Sequence, residues 1–337
     1  EVGLVTELQL HEGYMPHRSN EDLGGVDSCR FLSDQSPHDK PWDEHRQAAD
    51  KVAQLYNQIE YTRYSQEITS CAKWLLFARK VSELGEVNLK LFSSWFCRKR
   101  HCPICQWRRS LMWRARMFKA LPKIVEAYPT ARWVFLTLTV KNCPMDELRD
   151  TLGWMNKSWQ RLIKRKDWPA LGFVRSTEVS RNATTGYAHP HFHCLLMVSG
   201  GYFSGGRYLT QARWTELWQD SLRIDYPPIV NIKAIKPKFD ETGSHAGNEA
   251  LFKAVCETLK YTVKEGDLVD NAEWLGELTR QLFKLKLINT GGVLKEYLSE
   301  DDPEDLIHTD LEADTVSDED VMLIFDWVTW VKRYVKR

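Results

Sequence analysis

Residues 189–198 read HPHFHCLLMV, in which histidines alternate with apolar residues before a continuous apolar run. Side chains alternate across a β-strand, so a strand here places its three histidines on one face. Residues 172–180 (GFVRSTEVS) also have strand composition, and the loop between the two segments contains Asn182 and Gly186. The two segments are therefore predicted to form a β-hairpin.

The sequence around this hairpin predicts an α+β fold, with a central antiparallel sheet and flanking helices. Strands are also predicted at 132–140 (RWVFLTLTV) and 229–235 (IVNIKAI), which are rich in β-branched and apolar residues. A helix that opens at 142–144 has an apolar face formed by Leu148, Leu152, Met155, Trp159 and Leu162. Further helices are predicted over about 42–64, 108–128 and 248–264.

The composition is that of an ordinary globular protein with a sizeable core, since 43% of the 337 residues are hydrophobic and 27% are charged. No apolar run is long enough to span a bilayer. The N-terminus lacks the basic and apolar regions of a signal peptide. We therefore expect a cytoplasmic protein without membrane association. The eight cysteines then indicate metal binding rather than a disulfide framework.

Charge is strongly segregated along the chain, although its 46 basic and 46 acidic residues cancel. Residues 97–124 contain nine Lys or Arg and no acidic residue, whereas 299–320 contain eleven acidic residues and no Lys or Arg. A basic block within a neutral chain indicates a local anionic partner.

The three histidines of the predicted strand suggest a metal site. Imidazoles of His189, His191 and His193 on one rigid face can hold a divalent cation, and Glu178 across the hairpin is the nearest carboxylate. Carboxylate and imidazole ligands suit Mg²⁺ or Mn²⁺, with positions left open for a phosphate. Half-buried histidines that serve only packing are the alternative, and the apolar residues between them also fit the pattern of histidine-triad nucleotide hydrolases.

On a helical wheel of 248–264, one tyrosine falls on the polar side. The apolar stripe consists of Phe252, Val255, Cys256, Leu259 and Val263. Tyr261 lies almost opposite this stripe, near Lys253, Glu257 and Lys264. A tyrosine that attacks a DNA phosphodiester forms a phosphotyrosine and frees a 3′-OH, a lysine can stabilise the charge, and a glutamate can activate water. The alternative is an ordinary exposed tyrosine on an amphipathic helix.

A cysteine cluster precedes the sheet. Cys102-Pro-Ile-Cys105 has the spacing of a zinc knuckle, and Cys97 and Cys71 could complete a tetrahedral Zn²⁺ site, with His101 as a possible replacement for Cys71. Unligated buried thiols are the alternative.

The basic block around these cysteines suggests DNA binding, because cations neutralise phosphates and aromatic rings stack on unpaired bases. Trp95, Trp107 and Trp113 are interleaved with the basic residues, and two threonines of the strand at 132–140 are expected to face DNA or the active site. The predicted DNA-binding residues are Arg98, Lys99, Arg100, Arg108, Arg109, Thr137 and Thr139.

Three motifs together resemble the HUH endonuclease superfamily: HPHFHCLL on a strand, TLT in an earlier strand, and E-T-L-K-Y-x-x-K on a downstream helix. They are most similar to rolling-circle replication initiators of small bacterial plasmids, in the subgroup that pairs one catalytic tyrosine with a glutamate. The segments FCRKRHCPICQWRRSL and LINTGGVLKEYL also resemble segments of these initiators. The resemblance covers roughly residues 60–298.

The resemblance implies a ferredoxin-like or RRM-like HUH nuclease fold and a role for each site residue. It implies that His191 and His193 bind the metal and that Glu178 is the third ligand, with His189 either competing for that position or supporting the ligands from outside. Tyr261 would be the nucleophile, and Glu257 the base for the final cleavage. The implied activity is metal-dependent nicking and joining of single-stranded origin DNA through a 5′-phosphotyrosine. Origin DNA, a host helicase and a host DNA polymerase are the partners that the resemblance implies.

Other functions stay open at this point. A transposase or relaxase would share the chemistry, a histidine-triad nucleotide hydrolase would need no tyrosine, and a non-catalytic zinc-containing regulator would only bind DNA.

The sequence also predicts a division into domains. We expect an extended or partly disordered arm at 1–45 and a helical, basic, cysteine-rich segment at 46–128. The nuclease core with its tyrosine helix is expected at 129–298, followed at 299–337 by an acidic linker and a C-terminal docking segment.

Overall fold

The structure, a computed structural model, describes residues 30–81, 87–235, 249–260, 263–298, 304–307 and 320–337. The α-helices are Leu32–Gln35 (α1), Lys40–Gln58 (α2), Thr62–Ser70 (α3), Pro103–Ala127 (α4), Leu148–Ile163 (α5), Gln211–Leu222 (α6), Glu249–Thr258 (α7), Glu265–Leu268 (α8), Ala272–Gln281 (α9) and Leu294–Tyr297 (α10). The strands are Trp74–Val81 (β1), Val87–Ser94 (β2), Arg132–Thr139 (β3), Ala170–Arg181 (β4), Ala188–Val198 (β5), Val230–Ile235 (β6), Ile288–Gly292 (β7), Val321–Val328 (β8) and Arg333–Lys336 (β9). No helix in the described part of the chain is long and apolar enough to cross a membrane.

A five-stranded antiparallel sheet in the order β6-β3-β5-β4-β7 forms the centre of the fold. The predicted α+β class and the β4–β5 hairpin are confirmed. The turn between these strands is closed by Asn182, whose side-chain oxygen accepts hydrogen bonds from two backbone N–H groups, and by Gly186 at φ +71°. The register of the β4–β5 hairpin places Glu178 directly opposite His191.

Helices cover both faces of this sheet. One core joins Phe192, Cys194 and Leu196 of β5 to the apolar face predicted for α5, and Trp214 and Trp218 of α6 belong to it. The other core joins Leu195 and Met197 of β5 to buried residues of α4 and α7. Because side chains alternate along β5, His191 and His193 lie on the α4 and α7 face.

A second antiparallel sheet, in the order β2-β1-β8-β9, was not predicted. Strands β1 and β2 interrupt the segment expected to be helical, and the C-terminal docking segment is the β8–β9 hairpin, which pairs with β1. The predicted helix over 42–64 is divided into α2 and α3.

The extended arm predicted for residues 1–45 is wrong where the structure describes it. Residues 1–29 lie outside the described residues, but 30–45 contain α1 and the start of α2. Leu32 and Trp42 are fully buried there, so apolar anchors hold the segment in the core despite its polar composition.

The predicted helix over 248–264 is also shorter than expected, since α7 spans Glu249–Thr258. Its buried face is formed by Leu251, Ala254, Val255 and Thr258. Phe252, expected in the apolar stripe, is 47% exposed and stacks on Phe118 of α4 at 4.7 Å between ring centroids. Tyr261 lies outside the described residues.

Candidate metal centre and nucleic-acid interface

Three side chains of the β4–β5 hairpin converge at its buried face. Nε2 of His193 lies 3.0 Å from Oε2 of Glu178 and 3.1 Å from Nε2 of His191. Nε2 of His191 lies 3.5 Å from the same carboxylate oxygen. Glu178, His191 and His193 thus form one of the two groups of potential metal ligands found among the described residues.

The spacing of these three donor atoms fits a divalent cation. Ligands at about 2.1 Å from Mg²⁺ in octahedral geometry are separated by about 3.0 Å when they occupy adjacent positions. The observed separations of 3.0, 3.1 and 3.5 Å correspond to three adjacent positions on one side of an ion. The other positions of an octahedron would then be open to water or a phosphate.

Hydrogen bonds at the far side of each ring orient both imidazoles for metal binding. Nδ1 of His191 lies 3.2 Å from the backbone oxygen of His189, and Nδ1 of His193 lies 3.2 Å from the hydroxyl oxygen of Thr137. Each of these oxygens can accept a hydrogen bond from the Nδ1–H group, so Nε2 is the atom through which each imidazole would bind a metal. Such outer contacts commonly fix the tautomer of a histidine that binds a metal.

Lys260 adds a cation to this centre. Its Nζ lies 3.4 Å from Oε2 of Glu178 and 2.5 Å from Oε1 of Glu257. Burial opposes ionisation of Glu178, but hydrogen bonds from His191 and His193 and the charges of His191 and Lys260 together hold the pKa of Glu178 below its usual value. Glu178 is therefore a carboxylate at neutral pH, as a metal ligand must be.

The cysteine cluster forms the second group of potential ligands. Sγ atoms of Cys71 and Cys105 are 3.5 Å apart, those of Cys97 and Cys105 are 3.7 Å apart, and those of Cys71 and Cys102 are 3.6 Å apart. Tetrahedral zinc with Zn–S bonds of about 2.3 Å separates its sulfur atoms by about 3.8 Å, so the geometry fits a closed zinc site.

His101 does not join this cluster. Its Nδ1 lies 3.1 Å from the hydroxyl oxygen of Thr279, and burial, with the nearby Arg100 and Arg109, lowers its pKa to about 3. Cys71, rather than His101, lies beside the other three thiols.

The five predicted DNA-binding cations have different surroundings. Arg108 is only 5% exposed and donates to the backbone oxygens of Leu306 and Ile307, both at 2.8 Å, so it is not placed to contact a phosphate. Lys99 forms an ion pair with Glu67. The other three, Arg98, Arg100 and Arg109, line one cavity.

The tryptophans of this region also differ. Trp107 packs edge-on against the buried Trp42, with ring centroids 4.7 Å apart, and therefore belongs to the core. Trp113 lines the same cavity as the three arginines, and Trp95 is 45% exposed.

Comparison with known proteins identifies the family. A family model of replication proteins matches residues 88–335. The chain is 32% identical over 290 residues to "Protein rep" of Streptococcus pneumoniae serotype 2 strain D39, covering 83% of this chain and 87% of that protein. It is 34% identical to "Protein rep" of Lactiplantibacillus plantarum with the same coverage, and 32% identical to that of Bacillus amyloliquefaciens over 322 residues, or 88% and 94% of the two chains. No solved structure matches.

The chain belongs to the replication-protein (Rep) family. This confirms the family indicated by the sequence motifs, that of plasmid replication initiators.

Within this Rep-family protein, the remaining site predictions have different outcomes. His189 lies outside the ligand group, with its Nδ1 2.6 Å from the side-chain oxygen of Asn142. Of the two candidates for the third ligand, it is Glu178 that lies beside His191 and His193. The hydroxyls of Thr137 and Thr139 contact His193 and the backbone oxygen of Ile229, respectively, which does not favour direct DNA contacts.

The lysine beside the candidate metal centre was not among the predicted site residues. Lys264 had been predicted, but it is exposed ahead of α8, and no contact among the described residues joins it to the centre. Lys260 occupies that place. The helical wheel could not identify it because α7 ends at Thr258. The usable signal was its position between Glu257 and Tyr261 in the sequence ETLKY.

Proposed function

We propose that this Rep-family protein starts rolling-circle replication by nicking one strand at the origin of its plasmid, and later rejoins that strand. The convergence of Glu178, His191 and His193 carries the proposal, because it offers a divalent cation three adjacent ligands. Lys260 is at the same centre, and Tyr261 is the next residue in the chain.

Glu178, His191 and His193 would hold Mg²⁺ or Mn²⁺. Bound there, the ion would polarise an oxygen of the scissile phosphate and neutralise part of its charge. The four cysteines would hold a structural Zn²⁺. This ion would anchor the loop that contains Arg98 and Arg100 against the start of α4.

In the first step, the phenolic oxygen of Tyr261 attacks phosphorus and the bond to the 3′ oxygen breaks. The leaving oxygen takes a proton and becomes the free 3′-OH, and the 5′ phosphate stays on the tyrosine. Tyr261 lies outside the described residues, but it follows Lys260 directly in the sequence. The Lys260 ammonium is thus suited to stabilise charge on the transferred phosphoryl group. The 3′-OH would prime a host polymerase, and a host helicase would open the duplex.

Glu257 is proposed as the base of the final cleavage. Its side chain is 47% exposed, so water can reach it, and its ion pair with Lys260 holds it near the metal centre. It would remove a proton from a water molecule that attacks the regenerated origin phosphodiester. The 3′-OH released in that cleavage would attack the phosphotyrosine, close the displaced circle and free Tyr261.

An adduct assay tests this function. The protein is incubated with single-stranded oligonucleotides that tile the origin, with and without Mn²⁺, and the products are separated under denaturing conditions. We expect a Mn²⁺-dependent covalent band that disappears in Tyr261→Phe. The same band should persist in Tyr208→Phe, a matched change at a tyrosine that is 51% exposed.

Other outcomes would favour the alternatives. Origin binding with no adduct on any oligonucleotide would contradict the nickase and favour a DNA-binding regulator. Hydrolysis of small nucleotides that survives Tyr261→Phe would favour a histidine-triad hydrolase. A nick that depends on Tyr261 while Glu257→Gln blocks only release of the circle would support both assigned roles.

A further inference from the structure

A cavity of about 320 Å³ opens beside the metal centre, between the N-terminal half of α4, the loop before it and the start of β7. None of the described residues that line it is acidic. Its wall includes Arg98, Arg100, Arg109, Lys260, Lys286 and Trp113. The cavity is therefore suited to a ligand that combines negative charge with an aromatic group.

Polar groups in the wall are held in place for such a ligand. The Arg100 guanidinium donates one hydrogen bond to the backbone oxygen of Leu285 at 2.7 Å, which fixes its orientation. Ser110 is only 4% exposed, and its hydroxyl has no hydrogen-bond partner among the described residues. Because a buried hydroxyl is costly when it stays unpaired, Ser110 is suited to bond a polar atom of a ligand.

Lys260 joins the cavity to the metal centre. Its side chain lines the cavity, and its Nζ lies 3.4 Å from Oε2 of the candidate ligand Glu178. A chain of phosphates that passes through the metal centre can thus continue into the cavity along Lys260.

The size of the cavity selects single-stranded DNA. Its volume is at the lower end of the roughly 300–1,000 Å³ of small-molecule sites. A duplex, whose major groove alone is about 12 Å wide, cannot enter it. The Arg116 guanidinium lies 5.3 Å from the centre of the Trp113 ring. Trp113 is only partly buried and lines the cavity, so part of its ring is open to an unpaired base.

We propose that this cavity binds one nucleotide of the cleaved strand, adjacent to the scissile phosphate. Its base would lie on Trp113, and its phosphate on Arg100 and, in exchange for the Glu304 carboxylate, on Arg109. The cavity thereby positions the strand and contributes to the choice of the nicked site. This inference rests on the proposed nickase function, because it places the same DNA strand at the neighbouring metal centre.

Fluorescence anisotropy with labelled single-stranded origin oligonucleotides, without Mg²⁺ or Mn²⁺, tests the cavity separately from cleavage. A single abasic site is moved through the positions around the nick. We expect one position next to the nick at which it weakens binding to the wild type about tenfold. Trp113→Ala should weaken binding to the intact oligonucleotide equally, and the abasic site should then cause no further loss.

Matched variants separate stacking from folding. Trp113→Phe should restore most of the affinity, whereas Trp330→Ala, at a tryptophan that is 79% exposed in the turn between β8 and β9, should change it less than twofold. Equal losses at every abasic position in the wild type would overturn the proposal even if Trp113→Ala does not fold. So would equal effects of Trp113→Ala and Trp330→Ala. An abasic effect without a Tyr261 adduct would support the cavity while removing the nickase function.

Discussion

The ammonium group of Lys260 lies 3.4 Å from the carboxylate of Glu178, on the side of the hairpin where His191 and His193 converge. A lysine so close to a candidate metal ligand weakens the attraction between this site and a metal cation. The position of Lys260 is explained if its ammonium group binds the substrate phosphate.

We therefore predict that Lys260→Gln lowers the nicking rate on the order of 100-fold, as expected for loss of a group that stabilises the transition state. Affinity for Mn²⁺, measured by calorimetry, should stay equal or rise, because a positive charge has been removed. Lys157→Gln on α5, at the opposite face of the sheet, is the matched control. If Lys260→Gln nicks normally and Lys264→Gln loses the nicking activity, then Lys264 rather than Lys260 is the lysine that stabilises the transition state.

Thr137 is predicted to support metal binding through His193. In Thr137→Val, the Nδ1–H group of His193 loses its acceptor, and we expect Mn²⁺ affinity to fall about 10- to 100-fold. Calorimetric titration measures this directly. Thr139→Val removes a hydroxyl from the same strand that bonds to the backbone oxygen of Ile229, and it should leave Mn²⁺ affinity unchanged. Equal affinities in both variants and the wild type would remove Thr137 from the site.

The cysteine cluster is predicted to hold one structural zinc ion. Cys105→Ser should lose this zinc, as measured by mass spectrometry of metals, and should lower the Tm by on the order of 10 °C, because zinc binding stabilises the folded state. Cys256→Ser, at a half-buried thiol outside the cluster, should keep the zinc. Purified wild-type protein that contains no zinc and melts unchanged after chelation would exclude a zinc site.

Glu304 is predicted to compete with DNA for Arg109. The two side chains form an ion pair at the edge of the basic cavity, so a phosphate must displace the carboxylate. Glu304→Gln should raise affinity for single-stranded DNA about two- to fivefold at low ionic strength, and the gain should shrink at high salt. Glu273→Gln makes the same charge change at an exposed site on α9. A similar gain in both variants would indicate a general charge effect rather than this ion pair.

Local patterns predicted the hairpin and the convergence of three potential metal ligands on it. The alternation along β5 decides which histidines share a face, and Glu178 follows from the register of a tight hairpin. The face of α5 was predictable for the same reason, since its buried residues repeat within one helix.

Features that depend on distant segments could not be predicted. Arg108 had the composition of a DNA contact, but it is buried against backbone oxygens at 306–307, almost 200 residues away in the chain. Phe252 was assigned to the core, yet its ring packs on Phe118 at the surface. The place of Lys260 depends on where α7 ends. No glycine or proline follows Thr258 before Gly266, so nothing in the sequence marks that end.

The pairing of β1 with β8 has a consequence for synthesis of the protein. Leu75 pairs with Phe325, so the ribosome must add about 250 residues after the first strand before its neighbour exists. At about 5–20 residues per second, this takes roughly 12–50 s. By the end of that interval every strand of the five-stranded sheet has been made, but one edge of β1 still lacks its native partner. Until β8 is made, this edge of β1 is an unpaired strand edge of the kind that can pair with another chain, and faster translation shortens the time for which it is exposed.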